Sequence, residues 1–513
     1  MAVGVRRIGS VVGVITSFTP AQVRAAEERS GEELRSGELM RRAAEGLAGV
    51  VAARLPEGTG EPGRVVGLVG PGNNGGDVLH ALARLAADGH DVAAVRMAAA
   101  HEGGVDALRR AGGVLLGEDA GPDEVTELIG EADVVVDGIL GIGGRPGMPE
   151  VARAWVAAID EDAWVVAADV PSGHAPDGLA LGADGVFADE TVTFGVPKPV
   201  HLLPATSAAC GVLTVVPIGL DLEDEDEDED EADGRPAPAV RRLTRDDVAA
   251  VWPVPGPEDD KYTRGVVGVV AGGEDYTGAP LLTTGAAVAS GAGMVRYVGT
   301  PTPESLVRAA VPEAVHGDGR VQAWVVGPGL DVASSAAGSA AQLDVARAAL
   351  ASDLPVVLDA GGLDLLDGPR SAPTLLTPHA GECARMLSRL EGDEVSAEGV
   401  VADRLGHARR LARATGAVVL LKGSATLVVP PEEGVPVWVQ ADAPAWLATA
   451  GSGDVLAGIL GTLAAAGLPL DLAGALGALV HGVTGDDANP GGPVRAGAIV
   501  DHLPSTVAAL LTR

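Results

Sequence analysis

Two α/β domains joined by an acidic linker are predicted for this chain, and three features predict them. Short apolar runs such as RVVGLVG (64–70) and VVGVVAG (266–272) alternate with segments of helical periodicity, the pattern of a parallel sheet. Most of these runs end in loops rich in Gly, Asp and Ser, where open parallel sheets bind their ligands. Between the two sets, residues 221–233 hold eleven acids in thirteen positions, followed by GRPAPA. Such a run repels itself and stays solvated, so it marks a seam and not a site. The expected limits are 1–18 for a disordered extension, 19–220 for the first domain, 221–240 for the linker and 241–513 for the second domain.

The extension, MAVGVRRIGSVVGVITSF, carries two arginines and a short apolar run but no small-residue cleavage site, so it is read as an extension or an over-long start. No apolar run reaches the roughly 18–20 residues of a membrane span without interruption. Two cysteines, Cys210 and Cys383, are too few for a disulfide framework, and a reducing cytoplasm is expected. A net charge of −35 argues against nucleic acid as a partner. A homo-oligomer acting on small molecules is expected. The chain has 33 arginines but three lysines, Lys198, Lys261 and Lys422. A background that uses Arg almost everywhere points to those three as sites needing a compact ammonium, chance survival being the alternative.

In the first domain, SGELMRRAAEGLAGVVAARL reads as an amphipathic helix. Strand RVVGLVG, loop PGNNGGD, helix DVLHALARLAADG and strand DVAAVRM follow. Gly70, Gly72 and Gly75 fit G-x-G-x-x-G, but the second strand ends in Val95-Arg96-Met97, without the acid that would hold a dinucleotide's ribose. The Asn73-Asn74-Gly75-Gly76-Asp77 loop supplies amide oxygens and N–H donors, suited to a phosphate or a hard monovalent cation; a left-handed turn is the alternative. Two further strand ends carry acids: Asp137 before the Gly-rich loop Gly141–Gly147, and Asp169 before Ser172 and Gly173. Lys198 follows another β-type run, and with Asp169 forms either an acid–base pair or a structural ion pair.

GPGNNGGD, VDGILGIGG, DVPSG and TFGVPK, in this order, closely resemble the NAD(P)H-hydrate epimerase domain, over roughly residues 19–220. The resemblance implies a Rossmann-like three-layer domain. It implies a potassium ion held by Asn74, Asp137 and Ser172. It places the hydrated nucleotide against Asn73, Asn74, Gly75, Gly76, Asp77, Gly141, Ile142, Gly143, Gly144, Arg145, Pro146, Gly147 and Asp169, with Asp169 and Lys198 moving protons. Val78, where the family usually has glycine, and HAPDG after DVPSG depart from the pattern.

The second domain offers strand VVGVVAG, a Gly loop with Tyr276, a small-residue helix PLLTTGAAVASGAG and strand VRYVGT. WVVGPGL and PVVLDAGGLDLL read as two buried strands. LLTPHAGECARML places His379 and Glu382 on a turn into a helix, and AVVLLKGSATLVV is a hairpin-like pair with Lys422 in its turn. AGSGDVLAG then runs two small-residue turns into an apolar helix, with Asp454 at the junction. Free N–H groups at a helix start cradle a phosphate, and an aspartate there makes sense as the base for a hydroxyl attacking it; an Asp N-cap is the alternative. The set resembles the NAD(P)H-hydrate dehydratase domain, of the ribokinase-like α/β superfamily, over about 241–513. By resemblance, Ala279, Gly329, His379 and Asp454 meet the hydrated nicotinamide. Lys422, Gly423, Ser424, Ala425, Thr426 and Gly453 meet an adenine nucleotide, taken as ADP with magnesium. Ser452 stands for a more usual threonine, and DAGGLDLL departs from the family's version.

Together these imply repair of NADH hydrate and NADPH hydrate: epimerisation of R and S forms, then dehydration of the S form while ADP becomes AMP and phosphate. A ribokinase-class small-molecule kinase and a catalytically inactive nucleotide-binding regulator are the rival readings.

Overall fold

A computed structural model describes residues 13–55, 63–97, 99–117, 120–222 and 237–512. Most of the acidic linker and the first twelve residues therefore lie outside the described residues. The chain divides into two compact units, Thr16–Val240 and Arg241–Arg513, the latter also taking in residues up to Ile15. Ile15–Ser17 forms a short strand and Phe18 is 2% exposed, so the end of the expected extension is structured. Its β-branched Val-Ile-Thr run favours an extended edge segment.

In the first unit, helix α1 (Pro20–Arg29) starts at a reciprocal Thr19–Gln22 capping box with proline in its first turn. Helix α2 (Glu38–Ala52) buries Leu39, Ala43, Leu47 and Val51, four residues apart, as its periodicity predicts. Then come β1 (Arg64–Val69), α3 (Asn73–Ala87), β2 (Asp91–Arg96), β3 (Val114–Leu116), β4 (Val134–Gly138), β5 (Trp164–Ala168), β6 (Glu190–Phe194) and β7 (Val212–Val216). The sheet order is β3-β2-β1-β4-β5-β6-β7, parallel throughout. This is the Rossmann order, and it reverses between β1 and β4, where a crevice opens beyond the strand ends. Val65, Val69, Val134 and Val136 face a core shared with α2 and α3, while Val66, Leu68, Val135 and Ala167 face a second core. Helices thus cover both faces, at roughly 1.5–3 kcal/mol for each large apolar side chain buried.

One sequence assignment moves. The Asn73–Asp77 motif is not a loop but the first turn of α3, with Gly72 as its cap residue. Neither asparagine has a positive φ. The turn begins early because Gly70 lets two loops touch: a Cβ there would lie 1.9 Å from the Ile139 carbonyl oxygen.

The second unit is built on β8 (Val266–Val270), α4 (Gly278–Ala289), β9 (Met294–Val298), β10 (Val315–His316), β11 (Ala323–Val326), β12 (Val356–Leu358) and β13 (Thr374–Leu376). Helix α5 (Ala380–Glu391), β14 (Val418–Leu421), β15 (Thr426–Val429) and β16 (Val437–Gln440) follow, then helices α6 (Ser452–Ala465), α7 (Leu470–Ala488) and α8 (Ala496–Leu511). Its strands run β16-β15-β14-β13-β12-β11-β8-β9-β10. They are parallel from β10 to β14 and antiparallel through β15 and β16, so the hairpin around Lys422 is as expected. The small residues have a packing reason: a Cβ on Gly458 would lie 2.4 Å from the Thr283 carbonyl oxygen, and one on Gly461 2.3 Å from Val325. They let α6 lie directly on α4 and on the sheet. Among the described residues no helix is long and apolar enough to cross a membrane.

Candidate functional site

The strand ends of the first unit assemble a centre around Lys198. β5 stops at Ala168, and Asp169 turns the chain with φ +62°, one of two non-glycine positive values among the described residues. Holding a non-glycine residue there costs on the order of 1–3 kcal/mol, which the surrounding bonds must offset. Asp169 Oδ1 accepts from Lys198 Nζ at 2.5 Å, from Thr193 Oγ1 at 3.0 Å and from the Phe194 N–H at 3.4 Å. Lys198 Nζ also donates to Thr193 Oγ1 and to the Phe194 carbonyl, both at 2.9 Å, and its side chain is 1% exposed. All three of its N–H bonds are thereby used. Burial pushes the Asp169 carboxyl up, but the Lys198 charge and hydrogen bond outweigh it and hold the group below the usual carboxylate range.

His201 completes the arrangement. Its Nδ1 accepts the Lys198 N–H at 2.9 Å, so Nε2 carries the proton and donates to the Asp169 carbonyl at 2.8 Å. Burial, then Lys198, pull its pKa down to about 4, and it stays a neutral brace. A cleft of about 1240 Å³ opens beside this centre, lined by Asn73, Asn74, Asp77, Gly141–Gly144, Asp169 and Lys198. Arg145, Pro146 and Gly147 are not on its wall; Gly147 instead donates its N–H to the Gly173 carbonyl at 2.8 Å. Gly75 and Gly76 also pack inward, against the Gly70 carbonyl and against His101 and Met40.

Beside the cleft sits a set of oxygens. Asp137 is fully buried and accepts from Ser172 Oγ at 2.7 Å, the Ser172 N–H at 2.8 Å and the Ile139 N–H at 3.2 Å. Burial outweighs these three bonds and pushes it up to about 6. Asn74 donates to the Leu140 carbonyl at 2.9 Å, while its Oδ1 is buried with no partner among the described residues. Ser172 Oγ also accepts the Leu140 N–H at 2.8 Å, so the three residues meet at one turn. An orphaned amide oxygen beside a buried carboxylate fits a hard monovalent cation. Ser172 has one lone pair left for it; its other bonds tie down Asp137.

In the second unit the centre forms around Lys422. Lys422 Nζ pairs with Asp359 Oδ1 at 2.7 Å and lies 3.9 Å from Glu382 Oε2, with 23% of its side chain exposed. Burial pulls this lysine down, but the charges of Asp359 and Glu382 outweigh it and hold it above its ordinary value. Thr377 Oγ1 donates to the same Asp359 oxygen at 2.7 Å. Asp454, in the first turn of α6, is pushed up to about 7 by burial and by Asp359, against the pull of Lys422. Gly453 is next to the ammonium: a Cβ there would lie 3.5 Å from Lys422 Nζ. His379 caps α5, its side chain 60% exposed and its backbone N–H held by Glu382 at 2.8 Å. Glu382 thus joins the His379 turn to Lys422. Ala279 and Gly329 also come together, a Cβ on Gly329 falling 2.8 Å from that of Ala279.

The turn Lys422–Thr426 is braced by Arg404, which donates to the Ala425 carbonyl at 2.9 Å; Gly423 and Ser424 are exposed and Thr426 opens β15. Residues that the sequence reading left out are Thr193, His201, Asp359, Thr377, Glu382 as a lysine partner, and Arg404. Lys261, singled out with the other two lysines, joins neither centre: it sits on an exposed turn with its ammonium 5.3 Å from the Tyr262 ring. Its survival has no site behind it. Both cysteines are free and buried, their thiols pushed up to about 12 by burial, so neither is an activated nucleophile.

Two family models match the chain: "NAD(P)H-hydrate dehydratase" over residues 267–500 and "YjeF-related protein N-terminus" over residues 36–200. The bifunctional NAD(P)H-hydrate repair enzyme Nnr of Mycobacterium leprae is 41% identical, over 96% of this chain and 99% of its own length. The enzyme of the same name from Mycobacterium tuberculosis is 44% identical, over 87% of this chain and 88% of its own. Among solved structures, the ADP/ATP-dependent NAD(P)H-hydrate dehydratase of Bacillus subtilis, co-crystallised with ATP/Mg2+, is 27% identical over 52% of this chain and 98% of its own, with a TM-score of 0.45.

Proposed function

The chain belongs to the family of bifunctional NAD(P)H-hydrate repair enzymes, and from that premise we propose how its two centres divide the work. The first unit, with its domain limits at 19–220, epimerises NADH hydrate and NADPH hydrate. The second, 241–513, dehydrates the S form at the expense of ADP. The observation that carries this division is that each unit holds its own lysine–aspartate pair at the carboxyl ends of its strands, Lys198–Asp169 at 2.5 Å and Lys422–Asp359 at 2.7 Å.

Hydration of a dihydropyridine puts a hydroxyl on the ring carbon beside nitrogen. In the first centre Asp169, kept ionised by Lys198, takes and returns a proton at that hydroxyl or at water. Its Oδ2 has no partner among the described residues and is the oxygen free to do so. Asn73, Asn74, Asp77 and Gly141–Gly144 hold the nucleotide along the cleft wall. Asn74, Asp137 and Ser172 would hold potassium, which would supply positive charge to the site.

In the second centre Asp454 takes the proton of the ring hydroxyl as it attacks the terminal phosphorus of ADP. An aspartate near pH 7 is matched to that task, being ionised in about half the molecules and basic enough to act. The phosphorus–oxygen bond to AMP breaks; phosphate then departs with the carbon–oxygen bonding pair as the nitrogen lone pair forms C=N⁺, and loss of a proton from the adjacent ring carbon to water restores the dihydropyridine. A hydroxyl is a poor leaving group and a phosphate ester a good one, which is why a lyase would resemble a kinase. Lys422 has donors to spare for phosphate oxygens, and magnesium bound with the nucleotide supplies further charge neutralisation. Gly453 leaves the α6 N–H groups open to phosphate, and the Gly423–Thr426 turn lies against the nucleotide. Ala279, Gly329 and His379 surround the nicotinamide. A cytoplasmic setting and a homo-oligomer belong to the same reading, the first supported by two free cysteines.

The test is recovery of reduced-nicotinamide absorbance from an epimeric mixture of NADH hydrate, with magnesium and with ADP, ATP or neither. Full recovery with ADP is expected. Recovery that stops after one epimer removes the epimerase assignment, and recovery with ATP but not ADP removes the donor.

A further inference from the structure

The cleft of the first unit contains two carboxylates that its lysine does not neutralise. Glu27 comes from α1 and Asp77 from the first turn of α3, and both line the cleft with Asp169 and Lys198. Asp77 is 9% exposed, and among the described residues neither carboxylate has a hydrogen bond or an ion pair. An unpaired carboxylate held out of water is unfavourable, so the buried Asp77, with the half-buried Glu27 in the same cleft, marks a site where free acids are needed. Burial, then the Asp169 charge, raise Glu27 above the ordinary range, against Lys198 and Arg24. Burial, then Asp169 and Glu27, raise Asp77 well above it. Asp169 is held in the opposite state by Lys198. One cleft thus holds two carboxyls whose surroundings favour the proton beside one whose surroundings favour ionisation, the separation on which acid–base catalysis draws.

We propose that Glu27 is a catalytic residue of the epimerase centre, the general acid that protonates the ring hydroxyl, with Asp77 as its positioning partner. This rests on the epimerase reading of the first unit. Glu27 gives its proton to the hydroxyl oxygen, the carbon–oxygen bond breaks, and water leaves while the ring nitrogen lone pair forms a planar C=N⁺ bond. Water then adds to the opposite face, its oxygen bonding to the carbon and one proton passing to Asp169 Oδ2. That proton returns to Glu27 through water in the cleft. Nothing is oxidised or reduced, and the reverse inversion exchanges the two roles.

The groups that set the Glu27 protonation are Arg24 and Glu28 on its own helix, Asp77 on α3, and the Asp169–Lys198 pair with His201 behind it. The test follows conversion of R to S NADH hydrate by chromatography across pH, using the full chain. Wild type is expected to lose rate as pH rises through the Glu27 pKa. Glu27→Gln is expected to lower kcat by about 100-fold or more and to remove that limb, with KM changed less than threefold. Glu27→Asp restores part of the rate and, its carboxyl being the stronger acid, moves the limb to lower pH. Asp77→Asn keeps the limb and lowers kcat with little change in KM, the split expected of a positioning partner. A Glu27→Gln variant that keeps its kcat and its limb, or loses only KM, overturns the assignment. Should Glu27→Gln fail to fold, a Glu27→Asp variant with the kcat and the limb of wild type overturns it equally. A wild type that does not interconvert the epimers at all defeats the underlying epimerase reading instead.

Discussion

Both units place a lysine against a buried aspartate at the ends of parallel strands, yet the two lysines are held in different ways. Lys198 is 1% exposed and gives its three N–H bonds to Asp169, Thr193 and the Phe194 carbonyl. Lys422 is 23% exposed, with one close carboxylate at 2.7 Å and a second at 3.9 Å. A fully satisfied ammonium fixes the ionisation and direction of its neighbour but has nothing left for a ligand. A partly satisfied one can still meet phosphate oxygens. The same residue pair is therefore suited to fixing a base in one unit and to meeting phosphate in the other, and the difference lies in the unspent donors.

The largest way to break this comparison is to remove each ammonium in turn. Lys198→Met leaves Asp169 as a buried charge without its cation, at a cost of about 3–5 kcal/mol, and abolishes epimerisation. Lys422→Met abolishes dehydration but costs less, about 1–3 kcal/mol, because the 23% exposed Lys422 makes one close bond where the buried Lys198 makes three. Urea unfolding of the two variants, paired with both activities, checks the order. Equal destabilisation would mean that exposure of the lysine does not separate the centres.

The next test uses the aspartates. Asp169 is held below the usual carboxylate range, whereas Asp454 is raised to about 7. A base must be ionised, so dehydration should rise with pH up to about 7 and level off above it, while epimerisation shows no such limb from Asp169. Asp454→Asn is expected to lower dehydration about 10²–10⁴-fold and leave epimerisation unchanged. The sign for stability follows from the same raised value. Below the unfolded pKa of about 4 the carboxyl is neutral in both states and costs nothing. Between there and about 7 the folded state holds the extra proton, so stability falls as pH rises. At pH 8 the full cost is present, and Asp454→Asn should melt higher than wild type there and alike at pH 4. A variant that is both inactive and less stable at pH 8 would make Asp454 a structural cap.

Much of this arrangement was legible in the chain because its residues stand in short runs. Lys198 and Lys422 stood out against an arginine background, and Asp137, Asp169 and Asp454 each stand at a strand end or a helix start, within a few residues of glycine. The assignments that moved or were missed depend on distance along the chain. Glu27 reads as one more acid on a polar helix until the fold sets it beside Asp169. Asp359 and Glu382 reach Lys422 from two other strand ends, and His201 acts through backbone groups that no side-chain pattern reveals. The Asn73–Asp77 motif reads as a loop because two glycines are poor helix formers, but Gly75 and Gly76 are needed small for packing and the helix starts there regardless. Rarity misled once: Lys261 is as scarce as the others and sits on an exposed turn.

The smallest test exploits a threonine that each centre uses. Thr193 Oγ1 donates to Asp169 at 3.0 Å and accepts from Lys198 at 2.9 Å, whereas Thr377 Oγ1 donates to Asp359 at 2.7 Å and has no bond to Lys422. Valine has the same shape without the hydroxyl. Thr193→Val therefore removes two bonds and leaves a buried ammonium hydrogen without its acceptor, for about 2 kcal/mol; Thr377→Val removes one bond to the aspartate, for about 1 kcal/mol. Thermal melts of the two variants resolve that difference. If Thr377→Val proves the costlier, then Asp359 depends more on its hydroxyl than on its lysine, and Lys422 is freer to leave it for a phosphate than its 2.7 Å contact suggests.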